Sequence, residues 1–489
     1  MKRVSLSKSL FIRGLQCHKS LYLHKYRPEL KDEISDAQKT LFQSGTEVGI
    51  LAQGLFPGGL EIPYEGLSHQ EQLDLTQKEI EKGTSTLYEA TFQYEGVFVK
   101  ADILYKSETG WEIYEVKSST ELKPVHVNDV AIQYYVLSGI GINVSRASLV
   151  HINNQYVRNG DINVHELFST EDLTEDVKDL QSLIGEELAK QKKMLSLGEP
   201  EIDIGPYCDD PYVCDFKGHC WSHLPEDSLF DLRGSMANRY ELYRMGCLSM
   251  YDVPEEHLSP DQLIQVRSNI SKCASMNKRA LRSFLKNVKY PLCFLDFETF
   301  MMAVPPYDGI RPYQQIPFQY SLHCLDDENA ELKHIEFLTW PKQDPRKDFV
   351  EQLIRDIPLN ACVMVYNKTF EMGILKSLAA WFPEHADRIN TIIDNIVDLM
   401  VPFKKKDYYH WRMNGSYSIK SVLPALVPEL SYAELEINEG GLAMNAYHQM
   451  NQSEDSEEIE RIRDALLKYC HLDTLAMAKI VDTIKGAVF

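Results

Sequence analysis

The sequence predicts an α/β protein made of two α/β units joined by a helical connector. Three observations support this prediction. Strand-like and helix-like segments alternate twice along the chain, a stretch of helical pattern separates the two alternations, and 489 residues exceed what one hydrophobic core usually organises. We therefore expect a first unit over residues 1–225, a connector over 226–288 and a second unit over 289–489.

The first unit begins with a helical pattern and continues into strand patterns. Three successive runs rich in aromatic and β-branched residues predict strands: TLYEATFQYEG, VFVKADILYKS and GWEIYEVKSS. The apolar period then changes. NDVAIQYYVLSGIGI predicts a helix ended by glycine, RASLVHINNQYV predicts a strand, and residues 171–197 predict a long charged helix.

The connector and the second unit follow the same logic. Residues 226–288 repeat Leu, Met and Arg with little strand pattern, which favours packing helices. The second unit starts with the strand YPLCFLDFETF and continues through the strand-like runs IPFQYSLHCL and HIEFLTW. A helix at RKDFVEQLIRDI, a strand at ACVMVYN and further helices complete a sheet with helical covers.

Composition and charge restrict the class of protein. No apolar run is long enough to span a bilayer, and the N-terminus has no apolar core typical of a secretory signal, so we expect a cytoplasmic protein without membrane contact, its ten cysteines reduced or bound to metal. The net charge of −21 argues against binding nucleic acid by bulk attraction. Acid-rich segments near 165–187 and 453–460 supply much of that charge, which leaves room for local basic grooves.

Two carboxylates and a lysine form the first candidate site. Asp102, Glu115 and Lys117 lie on two consecutive predicted strands, and period-two alternation places Glu115 and Lys117 on one face within reach of Asp102. Magnesium and manganese prefer carboxylate oxygens, and a nearby lysine can orient or activate water at a phosphodiester. The pattern indicates a phosphate-cleaving site; an exposed strand edge is the alternative.

This order of residues resembles the PD-(D/E)XK nucleases of the RecB type. The resemblance implies that Asp102 and Glu115 bind metal, that Lys117 serves the attacking water, and that Gln133 and Tyr135 belong to the motif after the core strands. Many of these nucleases have an upstream histidine ligand where this chain has Gly49. Glu89 is the candidate replacement, with Glu47 behind it and an ordinary strand glutamate as the alternative.

Four cysteines form the second candidate site. Cys208, Cys214 and Cys220 are evenly spaced in a turn-rich segment, and Cys17 in the first helix can complete a four-thiolate set for iron or zinc. One cysteine before the nuclease core and three after it resemble the CRISPR-associated RecB-like exonucleases and AddB-type nucleases, which implies a four-iron four-sulfur cluster. With zinc, His18 or His219 is an alternative ligand. The remaining cysteines are expected to be buried thiols: Cys247, Cys273, Cys293, Cys324, Cys362 and Cys470.

A second acidic set follows in the C-terminal unit. Asp296 and Glu298 share one face of an apolar strand, where two carboxylates are costly without a cation. Downstream, VMVYNKTFEMGIL supplies Glu371, and LLKYCHLDTLAM supplies Tyr469 and Asp473 one helical turn apart. The two acids in the strand therefore predict a metal site.

Together these elements resemble the DnaQ-like DEDD exonucleases, with an RNase H-like fold. The resemblance implies two metal ions on Asp296, Glu298, Glu371 and Asp473, and a water oriented by Tyr469. Glu371 departs from the usual aspartate by one methylene, and Asp398 is a reserve candidate. Between the motifs, Arg412 and Lys420 are candidates for contact with a single strand. The alternative is that their segment is only a surface insertion.

The motifs predict a nuclease that uses magnesium or manganese on single-stranded nucleic acid, with DNA favoured over RNA and 3′-5′ digestion at the C-terminal site. Three alternatives stay open: a nucleic-acid-binding adaptor with one or both sites inactive, an RNA exonuclease, and a regulator that responds to oxidation of its cluster. DNA repair, phage defence and RNA turnover are all compatible with these expectations.

Overall fold

The computed structural model describes residues 5–33 and 45–489, and it confirms the predicted mixed α/β class. Contacts divide the chain into two compact units. The first comprises Met1–His223 with Met302–Gln314, and the second comprises Leu224–Met301 with Gln315–Phe489. The segment predicted as a connector therefore belongs to the second unit, and a short insertion from the second half of the chain belongs to the first.

A mixed sheet organises the first unit. Its described strands are β1 (Leu6–Ser7), β2 (Leu60–Glu61), β3 (Thr86–Tyr94), β4 (Val97–Lys106), β5 (Trp111–Lys117), β6 (Val144–Ile152) and β7 (Phe168–Asp172). Its labelled helices are α1 (Lys8–Gln16), α2 (His18–Tyr26), α3 (His69–Glu81), α4 (Pro124–Gly139), α5 (Val164–Leu167), α6 (Thr174–Asp179), α7 (Gln181–Leu197) and α8 (Lys217–Cys220).

The order of strands in this sheet is β2-β3-β4-β5-β6-β7, and β1 pairs with β4. Strands β3, β4 and β5 are antiparallel neighbours, whereas β5 and β6 run parallel on either side of the crossover helix α4. Val130 and Ile132 of α4 are fully buried in a core with Ile113 of β5. Helix α4 thereby covers the centre of the sheet.

The second unit has a five-stranded sheet and a small two-stranded one among its described residues. The strands are β8 (Ser275–Met276), β9 (Leu292–Phe300), β10 (Ile316–Leu325), β11 (Lys333–Leu338), β12 (Cys362–Val365), β13 (Ile396–Asp398) and β14 (Tyr408–Tyr409). The helices are α9 (Met236–Arg244), α10 (Pro260–Ser271), α11 (Lys278–Leu285), α12 (Arg346–Asp356), α13 (Lys368–Trp381), α14 (Ala386–Asp394), α15 (Val401–Lys404), α16 (Ile419–Leu426), α17 (Gly440–Gln452) and α18 (Ser456–Val488).

The larger sheet has the order β11-β10-β9-β12-β13, with β9 at its centre. Antiparallel pairing joins β9, β10 and β11, and parallel pairing joins β9, β12 and β13. Leu353 of α12, Leu375 of α13 and Ile389 of α14 pack in one core with Leu295 and Val363 of the sheet. The long helix α18 contacts β9 and β10 with residues of its own.

The cysteines outside the candidate cluster correct one expectation. Cys293 and Cys324 are directly paired on β9 and β10, with Cα atoms 4.2 Å apart, and form a disulfide, so the prediction of buried thiols was wrong for them. It was also wrong for Cys273, which is exposed. The prediction considered each cysteine within its own segment, whereas strand pairing brings two together. The other predicted buried thiols are free and buried: Cys247, Cys362 and Cys470.

A helix that crosses a membrane must be both long and apolar. Across residues 5–33 and 45–489, no helix meets both requirements.

Candidate functional site

In the first unit, adjacent strands bring the predicted acids together. Ile103 of β4 pairs with Tyr114 of β5, and continuing that register places Asp102 opposite Glu115. A carboxylate oxygen of Asp102 accepts a hydrogen bond from the backbone N–H of Val116 at 2.7 Å. Asp102 is thereby fixed against the strand that carries Glu115.

Glu115 is the centre of this cluster and is only 1% exposed. Lys8 on α1 donates to both of its oxygens, at 2.6 and 2.8 Å, and Lys117 donates to Oε1 at 2.8 Å. Gln133 on α4 donates to Oε2 at 2.6 Å. Two predicted residues, Lys117 and Gln133, therefore contact the predicted glutamate directly.

Two residues of this cluster escaped the sequence analysis. Lys8 reaches Glu115 across 107 positions of the chain, and Asp129 of α4 lies 2.7 Å from the Lys117 ammonium. Asp129 stands four residues before Gln133, so the helical period already placed both on one face of α4. Lys8 carried no comparable signal, because its position depends on how α1 docks.

The pKa values of the two acids on β4 and β5 are shifted in opposite directions. Burial disfavours the Glu115 carboxylate, but the ammonium groups of Lys117 and Lys8 outweigh it and hold its pKa well below the usual range. Burial raises the pKa of Asp102 to about 7, and the charge of Glu115 adds to the rise. Burial raises the pKa of Asp129 as well. The cluster thus holds acids that a further cation would keep ionised.

The other residues predicted for this site fall in different places. Tyr88 and Ala90 pair with Ile103 and Ala101, so Glu89 lies opposite Asp102, and burial raises its pKa. Tyr135 is not brought to the cluster.

The Tyr135 hydroxyl donates instead to Glu95 at 3.0 Å. Two residues along a helix are about 200° apart, which is why Tyr135 points away when Gln133 points in. Glu47 is exposed in a helical stretch.

A cleft of about 800 Å³ opens beside Lys117 within the first unit. Lys123 and Arg311 add cationic side chains to its wall, and Tyr212 and Tyr313 add aromatic rings. The wall therefore combines cationic and aromatic side chains, with Glu121 among them. The positive lining is local, in a chain whose net charge is −21.

The four predicted cysteines line one small cavity: Cys17, Cys208, Cys214 and Cys220. Cys17 stands at the N-terminus of α2, where its sulfur accepts from the backbone N–H of Ser20 at 3.5 Å. Burial raises the pKa of the Cys220 thiol to about 11. Four thiols that line one cavity are a donor set of the kind that binds a soft metal centre, and coordination there would lower the pKa of the Cys220 thiol.

The cysteine segment is fastened to α1 by polar contacts. Arg13 forms a two-pronged ion pair with Asp215, at 2.6 and 3.0 Å. Gln16 donates to the backbone carbonyls of Tyr207 and Tyr212, at 2.7 and 2.6 Å. These bonds join residues about 200 positions apart, so they hold the cysteine segment beside the helix that precedes Cys17.

In the second unit, strand β9 presents Asp296 and Glu298 on the face that α18 covers. Oxygens of both and the sulfur of Cys470 on α18 lie within 4.8 Å of one another. The Cys470 thiol is 3.9 Å from Oδ2 of Asp296. Sequence reasoning treated Cys470 only as a core thiol, although it adjoins Tyr469 and lies three residues before Asp473.

Helix α18 and the loop before α17 complete the acidic group. Tyr432 donates to Oδ1 of Asp473 at 2.6 Å, a contact with no local signal because 41 residues separate the two. The Lys420 ammonium lies 5.4 Å from the centre of the Tyr469 ring and 5.8 Å from that of Tyr432. The structure therefore brings Lys420 close to Tyr469 and Asp473, although the sequence predicted Lys420 only as a contact for a single strand.

Glu371 lies in the first turn of α13 and is 1% exposed. Burial raises its pKa to about 9, and the charge of Asp296 adds to the rise. Its Oε2 atom has no hydrogen-bond partner within the described structure. A buried carboxylate oxygen without a partner is costly, and a cation would satisfy it.

The remaining acids of the group are perturbed in the same direction. Burial raises the pKa of Asp296 well above its usual value, and the charge of Asp473 adds to the rise. Burial and the charge of Asp296 do the same for Glu298. For Asp473 burial raises the pKa to about 6, with the Tyr432 hydroxyl acting in the opposite direction.

Two predicted residues stand outside this acidic group. Asp398 accepts from three backbone N–H groups, those of Asn367, Lys368 and Met400, so its contacts are those of a structural cap. Arg412 is exposed, with its guanidinium 5.2 Å from the centre of the Trp411 ring.

Comparison with known proteins identifies related chains. A family model described as a domain of unknown function, DUF2779, matches residues 293–418. An uncharacterized protein of Ureaplasma parvum serovar 3, UU173, is 29% identical over 218 residues, which are 40% of this chain and 31% of that protein. The uncharacterized MG366 homolog of Mycoplasma pneumoniae is 28% identical over 225 residues, 42% of this chain and 34% of that protein. The matches span about a third of the length of these relatives.

Proposed function

We propose that this chain is a metal-dependent nuclease with two catalytic sites, a PD-(D/E)XK-like site in the first unit and a DEDD-like 3′-5′ exonuclease site with an RNase H-like fold in the second. The observation that carries the proposal is the acidic group of the second unit. Its members are Asp296, Glu298, Glu371 and Asp473, whose pKa values are all raised. Lys420 acts on three of the four as a compensating cation.

Divalent cations fit this group. Four oxygen-donor side chains suit magnesium or manganese, and Oε2 of Glu371, which has no hydrogen-bond partner among the described residues, is available to bind the ion. Bound there, such ions would neutralise charge on a phosphodiester and lower the pKa of water. The Tyr469 hydroxyl, beside Asp473, would orient the attacking water, and Lys420 would hold a phosphate oxygen.

The first-unit site supports cleavage with a different division of roles. Burial opposes charge on Lys117, but the carboxylates of Glu115 and Asp129 outweigh it and raise its pKa beyond the usual range. Lys117 is therefore protonated at neutral pH and acts as a hydrogen-bond donor to water or phosphate. Asp102, Glu115 and Glu89 are the residues that would hold magnesium or manganese there.

Single-stranded DNA is the proposed substrate, with RNA as the alternative. The lysines, arginine and tyrosines of the cleft beside Lys117 support a flexible strand better than a rigid duplex, because its bases are free to stack on aromatic rings. The four cysteines are proposed to hold a four-iron four-sulfur cluster that fastens the chain ends of the first unit together, with zinc as the competing occupant.

A nucleic-acid-binding adaptor is the competing function. It is favoured by one contact: Lys8 occupies both oxygens of Glu115, which a catalytic cation would have to share. In that case the first unit would bind a strand in its cleft without hydrolysing it.

The test uses the purified full chain with manganese and single-stranded DNA or RNA labelled at its 3′ end. Asp296→Ala is expected to abolish stepwise 3′ digestion, and Lys117→Ala to remove only the cleavage at the first site, each by orders of magnitude. Glu384→Ala and Lys190→Ala, at exposed positions, serve as matched controls.

Three outcomes contradict parts of the proposal. Digestion near the wild-type rate in Asp296→Ala refutes the DEDD-like assignment. Loss of all activity in either single variant points to one composite site. Binding without release of nucleotides, in the wild-type chain with manganese, establishes the adaptor.

A further inference from the structure

Three histidines of the second unit come together beside the acidic group. His323 lies on β10 directly across from His334 on β11, and His471 lies on α18. One ring nitrogen from each lies within 4.8 Å of the other two. We propose that this histidine cluster binds a divalent transition-metal ion, with Zn²⁺ as the best match, at a site separate from the acidic group.

The three rings lie near enough to share one ion once their nitrogens turn towards a common point. Zinc binds imidazole nitrogen at about 2.0–2.1 Å, which places two nitrogens of a tetrahedral site about 3.3 Å apart. Nδ1 of His471 lies 3.4 Å from Nδ1 of His334 and 3.3 Å from its Nε2, and the two ring planes are 89° apart. This nitrogen therefore faces the His334 ring, and one of the two rings must turn for both lone pairs to meet an ion. The rings of His323 and His334 have centres 4.4 Å apart, and a nitrogen of His323 lies within 4.8 Å of one on each of the other two rings.

A hydroxyl network leaves suitable nitrogens free. Thr474 donates to the backbone carbonyl of His471, so its oxygen accepts from Ser321 and from Nδ1 of His323, both at 2.7 Å. Ser321 has then used its proton, and its oxygen accepts from Nε2 of His334 at 2.9 Å. Nε2 of His323 and Nδ1 of His334 keep their lone pairs. Metal-bound histidines usually donate their other N–H to such a partner.

The surroundings favour an ion of the zinc class over magnesium. Imidazole nitrogen is a ligand for zinc, nickel or copper, whereas magnesium and calcium prefer oxygen. His323 is 3% exposed, and the His334 side chain is 24% exposed, so the cluster is reached from the edge of the sheet. Oε2 of Glu336 lies 3.8 Å from Nε2 of His334, the nitrogen that donates to Ser321, so water would complete the coordination.

Such a centre would fasten α18 to two strands. His471 is on the helix that carries Tyr469 and Asp473, whereas His323 and His334 are on the sheet that carries the partner acids. A metal ion shared among them would hold that helix in position without touching the acidic group. The inference stands independently of the proposed nuclease activity, because it rests on the histidines and their hydroxyl partners.

The experiment counts metal in the full chain. Chelator-treated protein is equilibrated with Zn²⁺, freed of excess ion and analysed by elemental mass spectrometry. His334→Gln and His323→Gln are each expected to hold one equivalent fewer than the wild type, whereas His257→Gln, at an exposed position of the same unit, holds the wild-type amount. Any zinc bound at the cysteines would be equal in all four proteins and would cancel in the comparison.

A second readout covers loss of folding in the variants. Cobalt replaces zinc and reports its ligands, because nitrogen-bound cobalt lacks the thiolate charge-transfer band. His334→Gln, the more exposed position, should lose the nitrogen-type signal, keep any thiolate band and lose the Zn²⁺-dependent rise in melting temperature. Equal metal content and equal stabilisation by Zn²⁺ in the wild type and His334→Gln would refute the site and leave a hydrogen-bonded imidazole cluster.

Discussion

Replacing Glu371 with glutamine is expected to stabilise the metal-free second unit and to remove the proposed 3′ digestion. Glu371 is 1% exposed, its pKa is raised from about 4.5 to about 9, and one of its oxygens has no partner among the described residues. Glutamine keeps the shape of the side chain without the charge. The same substitution should therefore stabilise the metal-free protein and weaken metal binding and digestion.

The magnitude follows from the direction of the pKa shift. A carboxyl whose pKa is higher in the folded chain binds its proton more tightly when folded, so folding loses stability as the pH rises from 4.5 towards 9. The loss is about 1.4 kcal/mol per pH unit, which amounts to about 3 kcal/mol at pH 7. Below pH 4.5 both states are protonated and the contribution of Glu371 vanishes.

The assay is urea unfolding in the presence of a chelator at pH 5, 7 and 8.5. The difference in free energy of unfolding between Glu371→Gln and the wild type should grow with pH, and Glu384→Gln, at an exposed position, should show no such trend. With manganese the wild type should have the larger free energy of unfolding, because it gains binding energy that the variant lacks. Digestion of a 3′-labelled strand by Glu371→Gln should fall at least a hundredfold.

One pattern of results refutes this reasoning. If Glu371→Gln and the wild type differ by a constant amount at all three pH values without metal, folding does not raise the pKa of Glu371. If the variant also digests the strand at the wild-type rate, Glu371 is not a ligand of the second-unit site.

Two further substitutions test neighbouring contacts. Tyr432→Phe removes the hydroxyl that donates to Asp473 at 2.6 Å, so the pKa of Asp473 should rise above about 6. In a metal titration, the manganese concentration for half-maximal 3′ digestion should therefore rise about tenfold. An unchanged titration would contradict the role of Tyr432. Cys208→Ser should yield colourless, iron-poor protein after anaerobic purification, whereas the wild type and the control Cys247→Ser should be brown. Wild-type protein that contains stoichiometric zinc and no iron would show that the cysteines bind zinc and not an iron-sulfur cluster.

Local patterns predicted the strands that carry the acids, β4, β5 and β9, but not β7, whose end lies in the run predicted as a helix over 171–197. They could not predict how separate elements pack together. Glu115 and Lys117 are two apart on a strand, so their common face was readable, and the neighbouring strand brought Asp102 opposite. Lys8 was not readable, because nothing near it in sequence indicates that α1 places it on Glu115. Helical geometry separates Tyr135 from Gln133, and its hydroxyl donates to Glu95.

The second unit repeats this division. Asp296 and Glu298 followed from strand alternation, whereas Tyr432 reaches Asp473 through a loop whose path no periodicity predicts. The Cys293–Cys324 disulfide needs the register of β9 against β10, which the two segments do not reveal separately. Residues on one element are predictable from spacing, and residues joined by packing require the fold.

The two acidic sites differ in how their charge is balanced, and that difference predicts different responses to metal. In the first unit, Lys8 and Lys117 already neutralise Glu115, so an added divalent ion displaces existing partners and gains little. In the second unit, Asp296 and Glu371 are buried with raised pKa values, so the same ion relieves repulsion as it binds.

Manganese should therefore stabilise the second unit more than the first, by about 3 kcal/mol at a hundred times the dissociation constant. Hydrogen exchange in the full chain resolves the two responses, because amides of β9 (Leu292–Phe300) and β5 (Trp111–Lys117) report separately. A chelated sample and Asp296→Asn are the controls, and both should lack the added protection in β9. Greater protection by manganese in β5 than in β9 would show that the lysines of the first unit do not substitute for a bound cation.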